Sequence, residues 1–368
     1  MPELLHSRVV PVNVPEAYEV LVGAGLLGTL PQHVTSQQVA IICDENVATL
    51  HAGAVREHLL QAGREVELLI VEPGEASKST RRWAQLLEQL AAAAFSRDCT
   101  VVAIGGGVVT DLGGFVAATW LRGVKFVSVP TSMLGMVDAG VGGKTGLNLK
   151  AGKNLVGAFW QPQLVLADVT VLRTLPDRQF RHGAVEFFKH ALIGRPEQLK
   201  LLSDPAFSRT AAADRLIPWL ADNISVKAGI VAADEREAGE RMHLNLGHTF
   251  AHALEGATRH RLEHGEAVAY GILFAALLGR NRGHADLVPL GLQLLRYVRP
   301  EPLPPLLLDD LLAFMARDKK NRAGTQRFVL LREAGAPFVV DDVSTAELEA
   351  AWLQLRELVD GLDWEARN

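Results

Sequence analysis

The chain has 368 residues, with 37 basic and 42 acidic side chains and a formal net charge of -5. That length accommodates two domains or one large one, each able to bury its own core. Apolar content of 48% with 21% charged residues excludes wholesale disorder, and the mildly acidic balance argues against nucleic acid or an anionic membrane as the main partner. The start, Met1 to Arg8, lacks the basic leader and apolar run of a signal peptide. The longest strongly apolar stretch, Ala267 to Gly279, has 13 residues, short of the roughly 20 that a membrane span needs. Cys43 and Cys99, the only cysteines, lie outside any CxxC pattern. A disulfide scaffold and a thiolate metal site are therefore excluded, and a cytoplasmic globular protein is expected.

In chain order, Arg8 to Val14 and Tyr18 to Val22 read as strands. Gln38 to Cys43 reads as a buried strand, followed by a helix through about Leu60. Glu65 to Val71 is a strand, Arg81 to Ala94 a helix, and Thr100 to Ile104 another buried strand. A glycine turn then opens a helix to Trp120, followed by the strand Lys125 to Val129, while Asn148 to Asn154 reads as loop. Strands alternating with helices imply a mostly parallel α/β sheet, with ligands beyond the carboxyl ends of its strands. Past Thr174 to Asp177 the β-branched runs largely stop, and helical periodicity continues to about Arg299. Prolines 300, 302, 304 and 305 interrupt it before a final helical segment, and Arg327 to Arg332 is apolar enough for a short strand. The expected division is an α/β domain over 1–177 and a helical domain over 178–368.

Two glycine loops invite a nucleotide reading. Gly105-Gly106-Gly107 follows a strand and opens a helix, where backbone N–H groups and the helix dipole suit a pyrophosphate. The GxGxxG pattern fails because Thr110 occupies the third glycine position. Gly143-Lys144-Thr145 ends like a P-loop, but Asp138 stands at the first glycine position. A glycine loop with an embedded lysine still suits phosphate. Asp44, directly after a strand, is either a ribose ligand or a helix N-cap.

The segment Arg241 to His252 is the most informative. Arg241, Asn245, His248 and His252 fall at i, i+4, i+7 and i+11, and Glu255 extends the stripe. A helix starting near Asn245 would carry both histidines on one face. His264-Gly265-Glu266 follows, and upstream Glu186 and Lys189 lie one turn apart among apolar residues. A lone buried histidine is usually a satisfied core residue. Several polar groups on one face are harder to dismiss, since each costs about 1–3 kcal/mol if buried unpaired. One carboxylate with two imidazoles is a common catalytic zinc set, and Thr249 after His248 excludes the HExxH protease pattern. Lysines within glycine loops or apolar helical faces, namely Lys144, Lys153, Lys189 and Lys227, suit a substrate with both phosphate and carboxylate.

These residues resemble the 3-dehydroquinate synthase family over nearly the whole chain. The motifs are PGExxK at Pro73 to Lys78, GGGVV-x-DL-x-GF at Gly105 to Phe115, RG at Arg122 and VPT at Val129. VD-x-x-VGGKTG at Val137 and GKNL-x-G-x-F-x-QP at Gly152 follow. The later half adds E-x-x-K at Glu186, E-x-x-x-R-x-x-x-N-x-GHT-x-x-H from Glu237, HGE at His264 and DKK at Asp318. The resemblance implies an α/β Rossmann-like nucleotide-binding domain plus an all-α domain, NAD, one divalent metal (zinc or cobalt) and a homodimer. Metal ligands would fall on Glu186, His248 and His264. NAD contacts would fall on Asp44, Glu75, Lys78, Gly107, Val108, Val109, Thr110, Asp111, Thr131, Ser132, Lys144, Lys153, Leu172 and Thr174. Substrate contacts would fall on Arg122, Asp138, Lys144, Asn154, Lys189, Lys227, Arg241, Asn245, His252, His264 and one of Lys319 and Lys320.

The implied reaction converts 3-deoxy-D-arabino-heptulosonate 7-phosphate into 3-dehydroquinate and phosphate. It proceeds by transient oxidation with NAD, β-elimination, re-reduction and an intramolecular aldol closure. Departures from the family pattern include Thr110, Ser132, Asp138-Ala139-Gly140, Phe187-Phe188 and Ala251, all neighbours of functional positions. Three alternatives stand beside this one: a metal-dependent alcohol dehydrogenase of the glycerol dehydrogenase type, another sugar-phosphate cyclase, and a non-catalytic relative. The cation inventory speaks against the first, since a small neutral polyol needs few cations.

Overall fold

The structure, a computed structural model, describes residues 7–259, 261–316 and 326–362. Two compact units form: residues 1–180 with 208–236, and 181–207 with 237–368.

The first unit is built on a seven-stranded sheet. Its elements in chain order are β1 (Ser7–Val12), β2 (Tyr18–Gly23), α1 (Leu30–His33), β3 (Gln38–Asp44), α2 (Glu45–Val47), α3 (Gly53–Gln61), β4 (Glu65–Val71), α4 (Thr80–Ala92), β5 (Thr100–Gly105), α5 (Gly107–Thr119) and β6 (Lys125–Pro130). A hairpin of β7 (Lys144–Leu149) and β8 (Gly152–Phe159) precedes β9 (Leu164–Asp168). Strand order is β1-β2-β9-β6-β5-β3-β4, with only the β1–β2 pair antiparallel. The period-2 alternation of β3 sorts its side chains onto two cores. Ala40 and Ile42 pack with Leu86, Leu90, Leu112 and Val116 of α4 and α5, while Val39, Ile41 and Cys43 pack with Val55 and Leu59 of α3.

Most sequence-predicted elements are present within two residues at their ends. The helix after Cys43 is a composite, with a π-helical turn over Ala48–Ala52 between α2 and α3. The segment expected as loop, 148–154, instead ends β7 and begins β8. Alternating Lys144, Gly146 and Asn148 hid that strand, because its apolar content is low.

After β9 the chain enters α6 (Asp177–Gly194) and α7 (Ala213–Ala233). The compact units part from the expected division at 177/178 in two respects, since the boundary falls at 180/181 and a later segment returns to the first unit. Residues 208–236, with α7, cluster with the first unit, because α7 packs on β1 and β2. Helical periodicity reports the type of an element, whereas unit membership depends on which surface its apolar face covers. The remainder of α6 opens the second unit, whose further elements are α8 (His248–Ala257), α9 (His264–Asn281), α10 (Val288–Val298), α11 (Leu308–Ala316), β10 (Phe328–Leu331), β11 (Pro337–Val340) and α12 (Thr345–Asp360). β10 is the expected short strand, and β11, its antiparallel partner, was not anticipated. The apolar run at 267–279 forms the buried body of α9.

Helix α5 depends on two small residues. A Cβ at Gly113 would lie 2.7 Å from the Ala103 side chain on β5, and one at Gly114 would lie 2.4 Å from Thr145 on β7. Gly113→Ala is therefore expected to destabilise the protein by about 1–3 kcal/mol through overpacking. Gly229→Ala on α7 meets nothing within 4 Å and should stabilise by about 0.5–1 kcal/mol through helix propensity. Urea unfolding of both variants checks the pair; equal shifts would contradict the packing.

Candidate active site

The parallel strands end in a row of the expected cofactor positions. Asp44 closes β3 opposite Val71 of β4, Gly105 closes β5 opposite Pro130 of β6, and Val169–Thr174 follows β9 directly. Glu75 and Lys78 follow β4, and Thr131 and Ser132 follow β6. From β3 the chain steps outward to β4 and then back to β5 on the other side, so β3 and β5 flank a topological switch point, where such sheets bind ligands. Gly106 precedes α5 and Gly107 and Val108 open it, all three partly exposed, and the start of a helix suits an anion. Donor set and topology fit a dinucleotide.

Individual positions there are less uniform than the sequence suggests. Asp44 is a helix N-cap, accepting from Asn46 N and Val47 N at 2.9 and 3.0 Å. Val109, Thr110 and Leu172 are buried; the Thr110 hydroxyl bonds the Gly107 carbonyl, and the N–H groups of Val109 and Thr110 donate to Gly106 O at 3.0 Å. Gly107, Val108 and Asp111 are partly exposed. Thr131 N donates to Gly105 O at 2.9 Å, and Ser132 Oγ accepts from Gly135 N at 3.1 Å. The Thr174 hydroxyl shares a 2.8 Å hydrogen bond with His51.

A polar chain runs through the same unit. Glu75 accepts from Asn148 Nδ2 at 2.7 Å, and Asn148 Oδ1 accepts from Asn154 N at 3.0 Å. The buried Lys78 ammonium donates to Asn154 Oδ1 and, at 2.5 Å, to Asp111 Oδ2. Burial pushes the Asp111 carboxyl above its ordinary range, against the pull of Lys78. Lys144 and Lys153 stand at opposite ends of the β7–β8 hairpin. Lys227 on α7 is buried and donates to both the carbonyl and the carboxylate of Asp138, at 2.5 and 2.6 Å. Arg122 is exposed and has a φ of 68°, next to Leu121 at 48°, a conformation costing roughly 1–3 kcal/mol per residue that clusters at functional sites.

The second unit holds the carboxylate and the histidines. Glu186 on α6 is fully buried. His248 and His264 are the first residues of α8 and α9, and each places Nε2 at 3.5 Å from Glu186 Oε1. One ligand atom from each of the three lies within 4.8 Å of the others. Their Nδ1 atoms are separately engaged, His248 with the Leu246 carbonyl at 3.2 Å and His264 with Glu255 Oε1 at 3.5 Å. Such partners fix the tautomer that leaves Nε2 for a metal, so the set fits a divalent ion with open positions. Burial works against the charged His264 imidazole, yet its bonds to Glu186 and Glu255 push it up to about 10. Lys189, one turn beyond Glu186 and buried, pairs with it.

The expected continuous helix from Asn245 does not form. Glu240–Asn245 is a 3-10 helix, and α8 begins only at His248. Gly247 between them has φ 79°, and a Cβ there would stand 2.8 Å from Ile272 N on α9. This break puts His248 at a helix start against α9, with the His252 ring 5.7 Å away at a right angle. Arg241 is buried in the 3-10 turn, and Asn245 Nδ2 donates to Glu237 Oε1 at 2.9 Å. Phe187 and Phe188 lie behind Glu186, packed on Phe207 and Tyr297. Lys319 and Lys320 lie outside the described residues.

Sequence profiles described as 3-dehydroquinate synthase N-terminal and 3-dehydroquinate synthase C-terminal match residues 68–182 and 183–321. The chain belongs to the 3-dehydroquinate synthase family. Within that family, 3-dehydroquinate synthase of Brucella suis is 43% identical over 361 residues, 92% of this chain and 94% of its own. That of Salinibacter ruber is 44% identical over 319 residues, covering 85% and 86%. Among solved structures, 2-epi-5-epi-valiolone synthase from Streptomyces hygroscopicus subsp. jinggangensis 5008, with NAD+ and Zn2+ bound, is 30% identical with a TM-score of 0.84, covering 93% of this chain and 97% of its own. An iron-containing alcohol dehydrogenase from Thermococcus thioreducens, at 13% identity and TM-score 0.66 over 92% and 98% of the chains, shares the fold.

Glu255 is the residue that motif reasoning placed on the stripe without a role. Its spacing of seven from His248, on the face that also carries His252, is the available signal. Burial pushes the Cys43 thiol up to about 12 and the Cys99 thiol up to about 11, so neither is a ready thiolate. Lys78→Met should destabilise the protein by about 1–3 kcal/mol, because the half-buried Asp111 carboxylate loses its partner. A carboxyl whose folded-state pKa is raised favours the protonated fold, so this loss should shrink as pH falls through the Asp111 range. Urea unfolding at about neutral pH and at about pH 5 checks it; a loss independent of pH would contradict the pairing.

Proposed function

We propose that the chain is a 3-dehydroquinate synthase, a lyase that releases phosphate from 3-deoxy-D-arabino-heptulosonate 7-phosphate and closes the carbocycle. The observation that carries this is the buried Glu186 flanked by His248, His264 and Lys189, within a chain 43% identical to curated 3-dehydroquinate synthases. Glu186, His248 and His264 would hold the divalent metal, and the strand-end loops with Glu75, Lys78 and Lys153 would hold NAD. When bound, these supply Lewis acidity and a hydride acceptor that is regenerated within each turnover.

The chain's own side chains account for the rest. Lys144, Arg122, Asn154 and Lys189 would oppose the leaving phosphate, each removing part of its charge. Lys78 donates to the Asn154 side-chain oxygen and so fixes the orientation of that amide. Lys227 and Arg241 would take the substrate carboxylate, and Asp138 orients Lys227. Asn245, held by Glu237, positions substrate hydroxyls, and His252 moves protons among the substrate oxygens. The number of cations assigned to substrate, Arg122, Lys144, Lys189, Lys227 and Arg241, favours a phosphorylated and carboxylated substrate over a neutral polyol. The reading carries with it a cytoplasmic homodimer, on family resemblance, and a reducing compartment suits the two buried thiols.

Purified protein supplied with NAD, zinc and the heptulosonate phosphate should release phosphate over many turnovers without net NADH. NADH accumulating on polyols with no phosphate released would instead make it a dehydrogenase. Lys189→Ala should lose at least about 100-fold in kcat/KM, whereas Lys200→Ala, at an exposed position, should stay within about twofold; steady-state kinetics of the two variants decides whether Lys189 acts on substrate.

A further inference from the structure

Three helices deliver the metal-ligand set, and the joint between two of them contains a histidine that this function does not use. His182 lies one turn before Glu186 on α6, on the same face. It is 5% exposed. Its Nδ1 lies 3.0 Å from Glu263 Oε2, and its Nε2 lies 3.5 Å from Glu266 Oε1. Those two carboxylates form the capping box of α9, with Glu263 at the N-cap and Glu266 three residues on. Glu266 Oε2 accepts from Glu263 N at 2.8 Å, and Oε1 accepts from Glu301 N at 3.2 Å. Glu266 is fully buried, and a buried carboxylate is tolerated only when paired.

The backbone meets at the same point. A Cβ at Gly265 would stand 2.4 Å from the His182 carbonyl oxygen, so the first turn of α9 rests directly on the α6 main chain. His264 sits between Glu263 and Gly265, and Glu186 sits one turn along from His182. Side chain and backbone at one residue therefore set the spacing between two of the three ligand positions.

We propose that His182 is a positioning residue, a clasp that holds the α9 capping box onto α6 and thereby fixes His264 against Glu186 for metal binding. The clasp rests on the reading that Glu186, His248 and His264 bind the metal. An imidazole suits the task because it is short and rigid, with Nδ1 hydrogen-bonded to Glu263 and Nε2 on the other side facing Glu266 at ion-pair distance. The bonds of the capping box remain without it, but the ligand-bearing turn loses its tie to α6. Outer partners of this kind typically contribute 10–100-fold in metal affinity.

The test uses the metal-free full chain titrated with Co2+, read by its visible absorption bands, and with Zn2+ against a chromophoric chelator. His182→Ala should bind about 10–100-fold more weakly with shifted Co2+ bands. His182→Asn, whose amide nitrogen takes the place of Nδ1 and keeps the bond to Glu263, should recover most of the affinity, and His182→Gln less. A folded His182→Ala with affinity within about twofold of the parent and unchanged bands would overturn the clasp. Should His182→Ala not fold, parental affinity and bands in both the Asn and the Gln variants would overturn it equally. Failure of the underlying reading looks different: the parent protein would then show no one-to-one Co2+ binding, or binding that His248→Ala leaves intact.

Discussion

Three side chains from three separate helices must bring one atom each within 4.8 Å of one another, and the second unit is organised around that requirement. Ordinary helix packing leaves axes about 8–10 Å apart, with side chains filling the gap. Here α8 and α9 come closer at Gly247 and Gly271, where a Cβ on Gly271 would lie 2.1 Å from the Gly247 carbonyl oxygen. α6 and α9 come nearly as close, with a Cβ on Gly265 2.4 Å from the His182 carbonyl oxygen. With the backbones in contact, the ligands reach the centre from the first turns of α8 and α9 and from the buried middle of α6. The apolar cost of those close approaches is covered around them, by Phe250 stacked on Phe274 at 4.0 Å and by the aromatic cluster of Phe187, Phe188, Phe207 and Tyr297.

The first unit is built differently, and on the proposed function it would take an extended anionic cofactor without many fixed charges. It uses position in the sheet. Parallel strands deliver their carboxyl ends to one side, and the reversal of strand order at β3 and β5 opens the crevice there. Its charges are largely paired internally, Lys78 with Asp111 and Lys227 with Asp138. Such pairing holds the ammonium groups at set positions, which matters for groups that would otherwise sample many rotamers.

Much of this was legible in the sequence because it depends on local rules. The period-2 runs of β3, β5 and β6 and the strand-to-glycine turn at Gly105 announce a parallel sheet and its binding edge. Glu186 and Lys189 stood out as charges in an apolar helix. What escaped depends on tertiary contact. The helix break before His248 could not be seen, since the φ of 79° at Gly247 and its close approach to α9 arise only in the folded chain. Asp44 matched two roles from its position, and the structure adds the capping geometry. The hairpin strand β7 lacks an apolar alternation, and α7 looks like any helix until the surface it covers is known. Glu255 and His182 act through other side chains, so no spacing rule points to their targets.

The central claim is that Glu186, His248 and His264 together hold one divalent ion. Zinc-edge X-ray absorption of protein loaded with a single equivalent of zinc tests it directly. The account predicts two imidazoles and a carboxylate oxygen in the inner shell, with one imidazole lost in His248→Ala and one in His264→Ala. A spectrum without imidazole scattering, or one that neither substitution alters, would contradict it.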